Sequence, residues 1–194
     1  MVLAGGRAEG DVSKVEQARA LVDRAVRELG GLDLLVNAAG EGFAPKPVEE
    51  LTEADWDAAF GATAKGSFFV TQAAAPHLRA SGGCVLMIED VAAYAPWPSF
   101  AAHSAAKAAQ AMLTRVLARA LAPEVRVCGI APGPVAVEPE QEQRRAAETL
   151  LGRVGSPEDV ADAVVYLTGA SFVTGTTLVV DGGRLLQSVA GLGP

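Results

Sequence analysis

Apolar spacing along this chain switches repeatedly between short continuous runs and helical stripes, the pattern of an α/β fold built on a parallel sheet. Four runs read as buried strands: Leu32 to Val36, Cys84 to Ile88, Val125 to Ile130 and Thr177 to Val180. Between them fall the helices. Val15, Ala18, Val22, Ala25, Val26 and Leu29 share one helical face, opened by a capping box of Ser13 and Glu16 and closed at Gly30-Gly31. Thr52 with Asp55 opens a second helical stretch, expected to break near Gly61 or Gly66 and to reach about Ala80. An alanine-rich helix is expected from about Phe100 to Leu121, and Ser156-Pro157 with Asp159 starts the last one. The mixed charges of Glu138 to Arg145 read as a solvated helix or lid.

With 194 residues, 50% of them hydrophobic, the chain reads as one domain over residues 1–194. Its 16 basic and 23 acidic residues give a net charge of -7, the wrong sign for a broad phosphate-binding surface. Nucleic acid is therefore not an expected partner. No apolar run approaches the roughly 18 residues of a membrane span, and the N-terminus lacks a signal arrangement. Cys84 and Cys128 lie within strand runs and read as buried apolar residues, which suits a reducing cytoplasm. No metal site is expected.

If the strands are parallel, Asn37, Asp90 and Pro132-Gly133 end on one edge, where open α/β sheets hold their ligands. His103 and Lys107 are four residues apart on one helix face, and Asp90 precedes His103 by 13 residues. An acid, an imidazole and an ammonium can converge there. Lys107 would repel a protonated His103 and Asp90 would attract it, the balance on which a proton-transfer group depends. The plainer alternative is a surface helix start with ordinary charges.

Several segments, taken together and in order, resemble a known family. They are Asn37-Ala38-Ala39-Gly40, His103-Ser104-Ala105-Ala106-Lys107, Pro132-Gly133-Pro134-Val135 and Gly152 to Ala161. Val173-Thr174-Gly175 and Val180-Asp181-Gly182-Gly183 complete the set. They are similar to the Asn-Asn-Ala-Gly loop, Tyr-x-x-x-Lys motif, Pro-Gly loop and C-terminal signature of the short-chain dehydrogenases/reductases. Histidine stands where that family has its tyrosine.

The resemblance implies a Rossmann-like doubly wound sheet and hydride transfer between NADPH or NADH and a small carbonyl substrate. By position, His103 takes the proton-transfer role, Lys107 contacts the nicotinamide ribose, and Asp90 stands at the usual catalytic serine. An aspartate there resembles the pteridine reductase-like branch, as does Trp97-Pro98-Ser99-Phe100. Thr63 occupies the place of an asparagine in the proton relay. Asp11 falls at the adenine amino group, Asn37, Ala38, Ala39 and Gly40 at the adenine ribose, and Pro132, Gly133 and Val135 on the nicotinamide side. A dimer or tetramer paired through the two long helices is expected.

It also implies that the chain begins at the family's third strand, as a partial sheet lacking the first two and leaving Leu32 to Val36 with an unpaired edge. No Gly-x-x-x-Gly-x-Gly occurs, and Gly5-Gly6 reads as a turn into the third strand. Two expectations follow: a carbonyl or pterin-like reductase, or a catalytically inactive structural or regulatory subunit paired with a complete homologue.

Overall fold

The structure, a computed structural model, describes residues 2–3, 6–7, 9–40 and 45–187. Its first elements are β1 (Val2–Leu3), β2 (Gly6–Arg7), α1 (Val15–Leu29), β3 (Leu34–Asn37), α2 (Glu53–Phe60) and α3 (Gly66–Ser81). Then come β4 (Cys84–Ile88), α4 (Ala101–Leu121), β5 (Arg126–Pro132), α5 (Pro139–Ala146), α6 (Pro157–Gly169) and β6 (Thr177–Val180). β3, β4, β5 and β6 form a parallel sheet in that order, pairing Leu34 with Cys84, Cys84 with Arg126 and Gly129 with Thr177. This is an α/β fold, consistent with a partial Rossmann-like sheet.

The two faces of the sheet follow from strand alternation. Val85, Met87 and Val127 point into a core shared with α1, α3 and α4, around Ala18, Val22, Ala74, Leu78 and Leu117. Cys84, Leu86, Cys128 and Ile130 point the other way, against Ala163 and Leu167 of α6. Leu78 is fully buried, so truncating it to alanine costs about 2–5 kcal/mol.

The N-terminal segment differs from expectation. Gly5 lies outside the described residues, but Gly6 begins β2, which pairs antiparallel with β1 as a ribbon of its own. Gly6 is therefore part of a local hairpin pairing rather than a lead into the main sheet. The α1 cap differs too. Lys14 is its N-cap and makes no side-chain cap bond, since an ammonium cannot accept; instead the Ser13 amide donates to Asp11 Oδ1 at 2.9 Å and the Asp11 amide to Gln17 Oε1 at 2.7 Å. Asp11, not Ser13, organises this entry.

The capping boxes at Thr52–Asp55 and Ser156–Asp159 are both formed. The expected break in the second helical stretch is a π-helical turn, Gly61–Lys65, between α2 and α3. Glycine is needed at its far end, since a Cβ on Gly66 would lie 2.9 Å from Val12 Cγ2. Every strand of the main sheet thus ends on one side, with Asn37 closing β3 and Glu89-Asp90, Gly133 and Asp181 following β4, β5 and β6.

Candidate active site

β4 delivers two consecutive acids to the strand-end edge. Asp90 caps the short turn Val91–Ala93, its Oδ1 accepting from the Ala92 amide at 2.7 Å. Its Oδ2 lies 3.2 Å from His103 Nε2 on the first turn of α4. The carboxylate is thus fixed by backbone before it meets the ring.

One helical turn further along α4, Lys107 is only 7% exposed. Its ammonium donates to the Ile88 carbonyl at 2.7 Å and to Gln110 Oε1 at 3.2 Å. Burial lowers its pKa, and the nearby carboxylates of Asp90 and Glu89 oppose that shift. Gln110 Nε2 donates to Ser67 Oγ at 2.8 Å, which donates to the Thr63 carbonyl at 2.6 Å. The π turn is therefore tied to the lysine through its backbone. Thr63 itself is buried, and its Oγ1 lies 3.9 Å from where a Cβ on Gly40 would stand.

The remaining motif residues take separate positions. Asn37 turns its amide inward, donating to Thr71 Oγ1 at 2.9 Å and Met87 Sδ at 3.3 Å. Ala38, Ala39 and Gly40 are exposed beyond it. At the end of β5, the Gly133 amide donates to the Val180 carbonyl at 2.9 Å and Val135 bridges to Gly155. A Cβ on Gly133 would lie 2.7 Å from Asp181 Cα, so this loop requires glycine for close approach. Asp11 is exposed at the entry to α1, where its hydrogen bonds from Ser13 hold its carboxyl below the usual range. So Asp90, His103 and Lys107 come together, Thr63 joins through its carbonyl, and Asn37 commits its side chain to the interior.

Sequence reasoning missed Glu89. It is 2% exposed and accepts hydrogen bonds from Thr114 Oγ1 at 2.6 Å, Tyr94 Oη at 2.8 Å and Thr177 Oγ1 at 3.0 Å. This carboxylate, one residue before Asp90, joins the end of β4 to α4 and β6. Burial first, and then Glu89, push the Tyr94 phenol upward. The signal was present as two acids in succession at the end of an apolar strand, with threonines on two other buried elements. Among the described residues no three His, Cys, Asp or Glu side chains gather as for a metal ion, and no helix is long and apolar enough to cross a membrane.

A parallel α/β sheet here gathers an acid–imidazole pair and a buried lysine at its strand ends, the edge where open α/β folds bind ligands. A family model described as enoyl-(acyl carrier protein) reductase matches residues 4–184. The chain is 40% identical to the 3β-hydroxysteroid dehydrogenase 1 of Eggerthella lenta, over 94% of this chain and 76% of that protein. It is 37% identical to the 4-formylbenzenesulfonate dehydrogenase of Comamonas testosteroni, over 92% and 78%. Among solved structures, a 7α-hydroxysteroid dehydrogenase complexed with NADH and 7-oxo glycochenodeoxycholic acid superposes with a TM-score of 0.84 and 34% identity, covering 91% of this chain and 72% of that one. The chain belongs to the short-chain dehydrogenase/reductase family of oxidoreductases.

Proposed function

We propose that this chain carries the catalytic part of an NADPH- or NADH-dependent reductase of small carbonyl compounds, nearest the pteridine reductase-like branch. The observation behind it is the 3.2 Å contact of Asp90 with His103 beside the buried Lys107 ammonium.

The side chains present fit the nicotinamide half of such a cofactor. Lys107 uses two of its donors on Ile88 and Gln110 and keeps another for a ribose hydroxyl. The Pro132, Gly133 and Val135 loop, pinned to Val180 and Gly155, forms a fixed wall on that side. The exposed backbone of Ala38, Ala39 and Gly40, with Asn37 and Asp11, serves the adenosine half. When bound, the nicotinamide supplies the hydride. His103 passes the proton to the substrate oxygen, while Asp90 orients the ring and balances the charge it carries when protonated. Thr63 acts through its carbonyl, which holds Ser67, Gln110 and so Lys107 in line.

No Gly-x-x-x-Gly-x-Gly occurs in these 194 residues, and the test of this assignment therefore includes a chain extended upstream by the family's first two strands and pyrophosphate turn. Met112 and Val116, exposed four residues apart on α4, suit a homo-oligomer, dimer or tetramer, packed through that helix. The assignment is of a cytoplasmic protein acting on small molecules.

One observation favours a second reading. The histidine at position 103 shortens the reach of the proton donor relative to a phenol, which suits an inactive regulatory or structural subunit paired with a complete homologue. Calorimetric titration with NADPH and NADH, on this chain and on an upstream-extended one, separates the two. Catalysis requires saturable binding of one cofactor by the extended chain, and absence of binding in a folded sample supports the inactive subunit.

A further inference from the structure

The segment leading into α4 builds a feature that proton transfer does not use. Trp97 and Phe100, edge to face at 5.9 Å, line a cavity of about 200 Å³ together with Arg145 and Arg184. Phe100 is three residues before His103, so the cavity opens at the same end of α4.

Its charges are arranged rather than scattered. Arg184 Cζ sits 4.6 Å from the centre of the Trp97 ring. Arg184 Nη2 lies 2.7 Å from Glu148 Oε2, and Arg145 Nη1 lies 3.0 Å from the same oxygen. Two guanidiniums from separate elements thus share one carboxylate, which cannot take up all of their N–H donors. Asp181 and Asp90 also act electrostatically on Arg184, but their oxygens are turned to other groups: Asp181 accepts from the Gly183 and Leu185 amides, and Asp90 from Ala92 while it faces His103. A cationic fork at the edge of an aromatic wall matches a flat acid, whose carboxylate takes two parallel hydrogen bonds while its frame lies on the rings.

We propose that Arg145 and Arg184 read a carboxylate on the substrate, which makes the preferred substrates flat or aromatic carbonyl compounds bearing an acid group. The carbonyl part of this assignment rests on the reductase reading; recognition of the acid does not.

Calorimetric titration of the chain, without cofactor, tests it with 4-acetylbenzoate, its methyl ester and inorganic phosphate. The acid is expected to bind at least about tenfold tighter than the ester, and phosphate far more weakly than the acid. Arg184→Met and Arg145→Met should each reduce that preference, and Arg184→Lys should keep part of it, with thermal melts establishing that each variant is folded. Equal binding of acid and ester, no binding of the acid, phosphate binding as well as the acid, or a preference that survives both methionine variants would overturn it. Acid recognition without hydride transfer in the upstream-extended chain would leave this site standing and remove the reductase reading alone.

Discussion

His103 Nε2 and Asp90 Oδ2 stand 3.2 Å apart, one on the first turn of a helix and the other just past the end of a strand. The second oxygen of Asp90 is taken by the Ala92 amide, so the pair has a fixed direction. Asp90→Asn keeps an oxygen for that amide and removes the charge facing the ring. It should lower kcat by about 10- to 100-fold with little change in melting temperature, and His103→Ala should cost at least as much. In steady-state assays the double variant should be no slower than the worse single one, because the two act as a unit.

Lys107 titrates below an ordinary lysine because it is buried, despite two carboxylates nearby. Its folded pKa is therefore lower than its unfolded value of about 10.4. Between those two values the unfolded chain holds more protons, so the lysine's contribution makes stability rise with pH through that window and fall again as pH drops through the folded pKa. Under the proposed function activity runs the opposite way, since ribose binding would use the ammonium. The alkaline limb of the rate profile should fall below pH 10.4, and Lys107→Met should remove the limb together with most of the activity.

Glu89 is the hidden organiser of this edge, and Gly129 makes room for it. A Cβ at position 129 would collide with the Glu89 carboxylate and stand 2.7 Å from Thr177 Oγ1. Gly129→Ala should destabilise the fold by about 1–3 kcal/mol. Thr114→Val, which removes a donor at 2.6 Å, should cost about 1–3 kcal/mol as well. Denaturant melts read both.

The parallel sheet was legible because β4 and β6 are apolar runs with clear stops, and both match their expected bounds, Cys84–Ile88 and Thr177–Val180. β3 begins two residues late because Leu32 packs on the core without entering the ladder. β5 runs on to Pro132 because Val180 of β6 pairs with it. Both shifts depend on neighbours that no local pattern reveals. The helical spacing of His103 and Lys107 carried the site, and family motifs carried the rest. Glu89 stayed hidden because two of its three partners, Thr114 and Thr177, lie 25 and 88 residues away and meet it only after the sheet forms. The inward turn of Asn37 was invisible for the same reason: Thr71 lies 34 residues on, in α3.

Two helix starts depend on ionised aspartates. Asp159 is held well below the usual carboxylate range first by its bond from Arg153, and Asp55 first by its bond from Lys46. A depressed folded pKa means stability present above the ordinary carboxylate range and lost as pH falls through and below it. Asp159→Asn should lower the melting temperature at neutral pH, and the difference from the native chain should shrink on acidification. Melts at a series of pH values test this.

The most direct test is nicotinamide-dependent reduction of a carbonyl panel by the upstream-extended chain, with His103 as it stands and as His103→Tyr. Turnover with histidine present, lost in His103→Ala, is the predicted result. Turnover that appears only after tyrosine is introduced would contradict a working Asp90–His103 pair and identify the natural chain as an inactive partner.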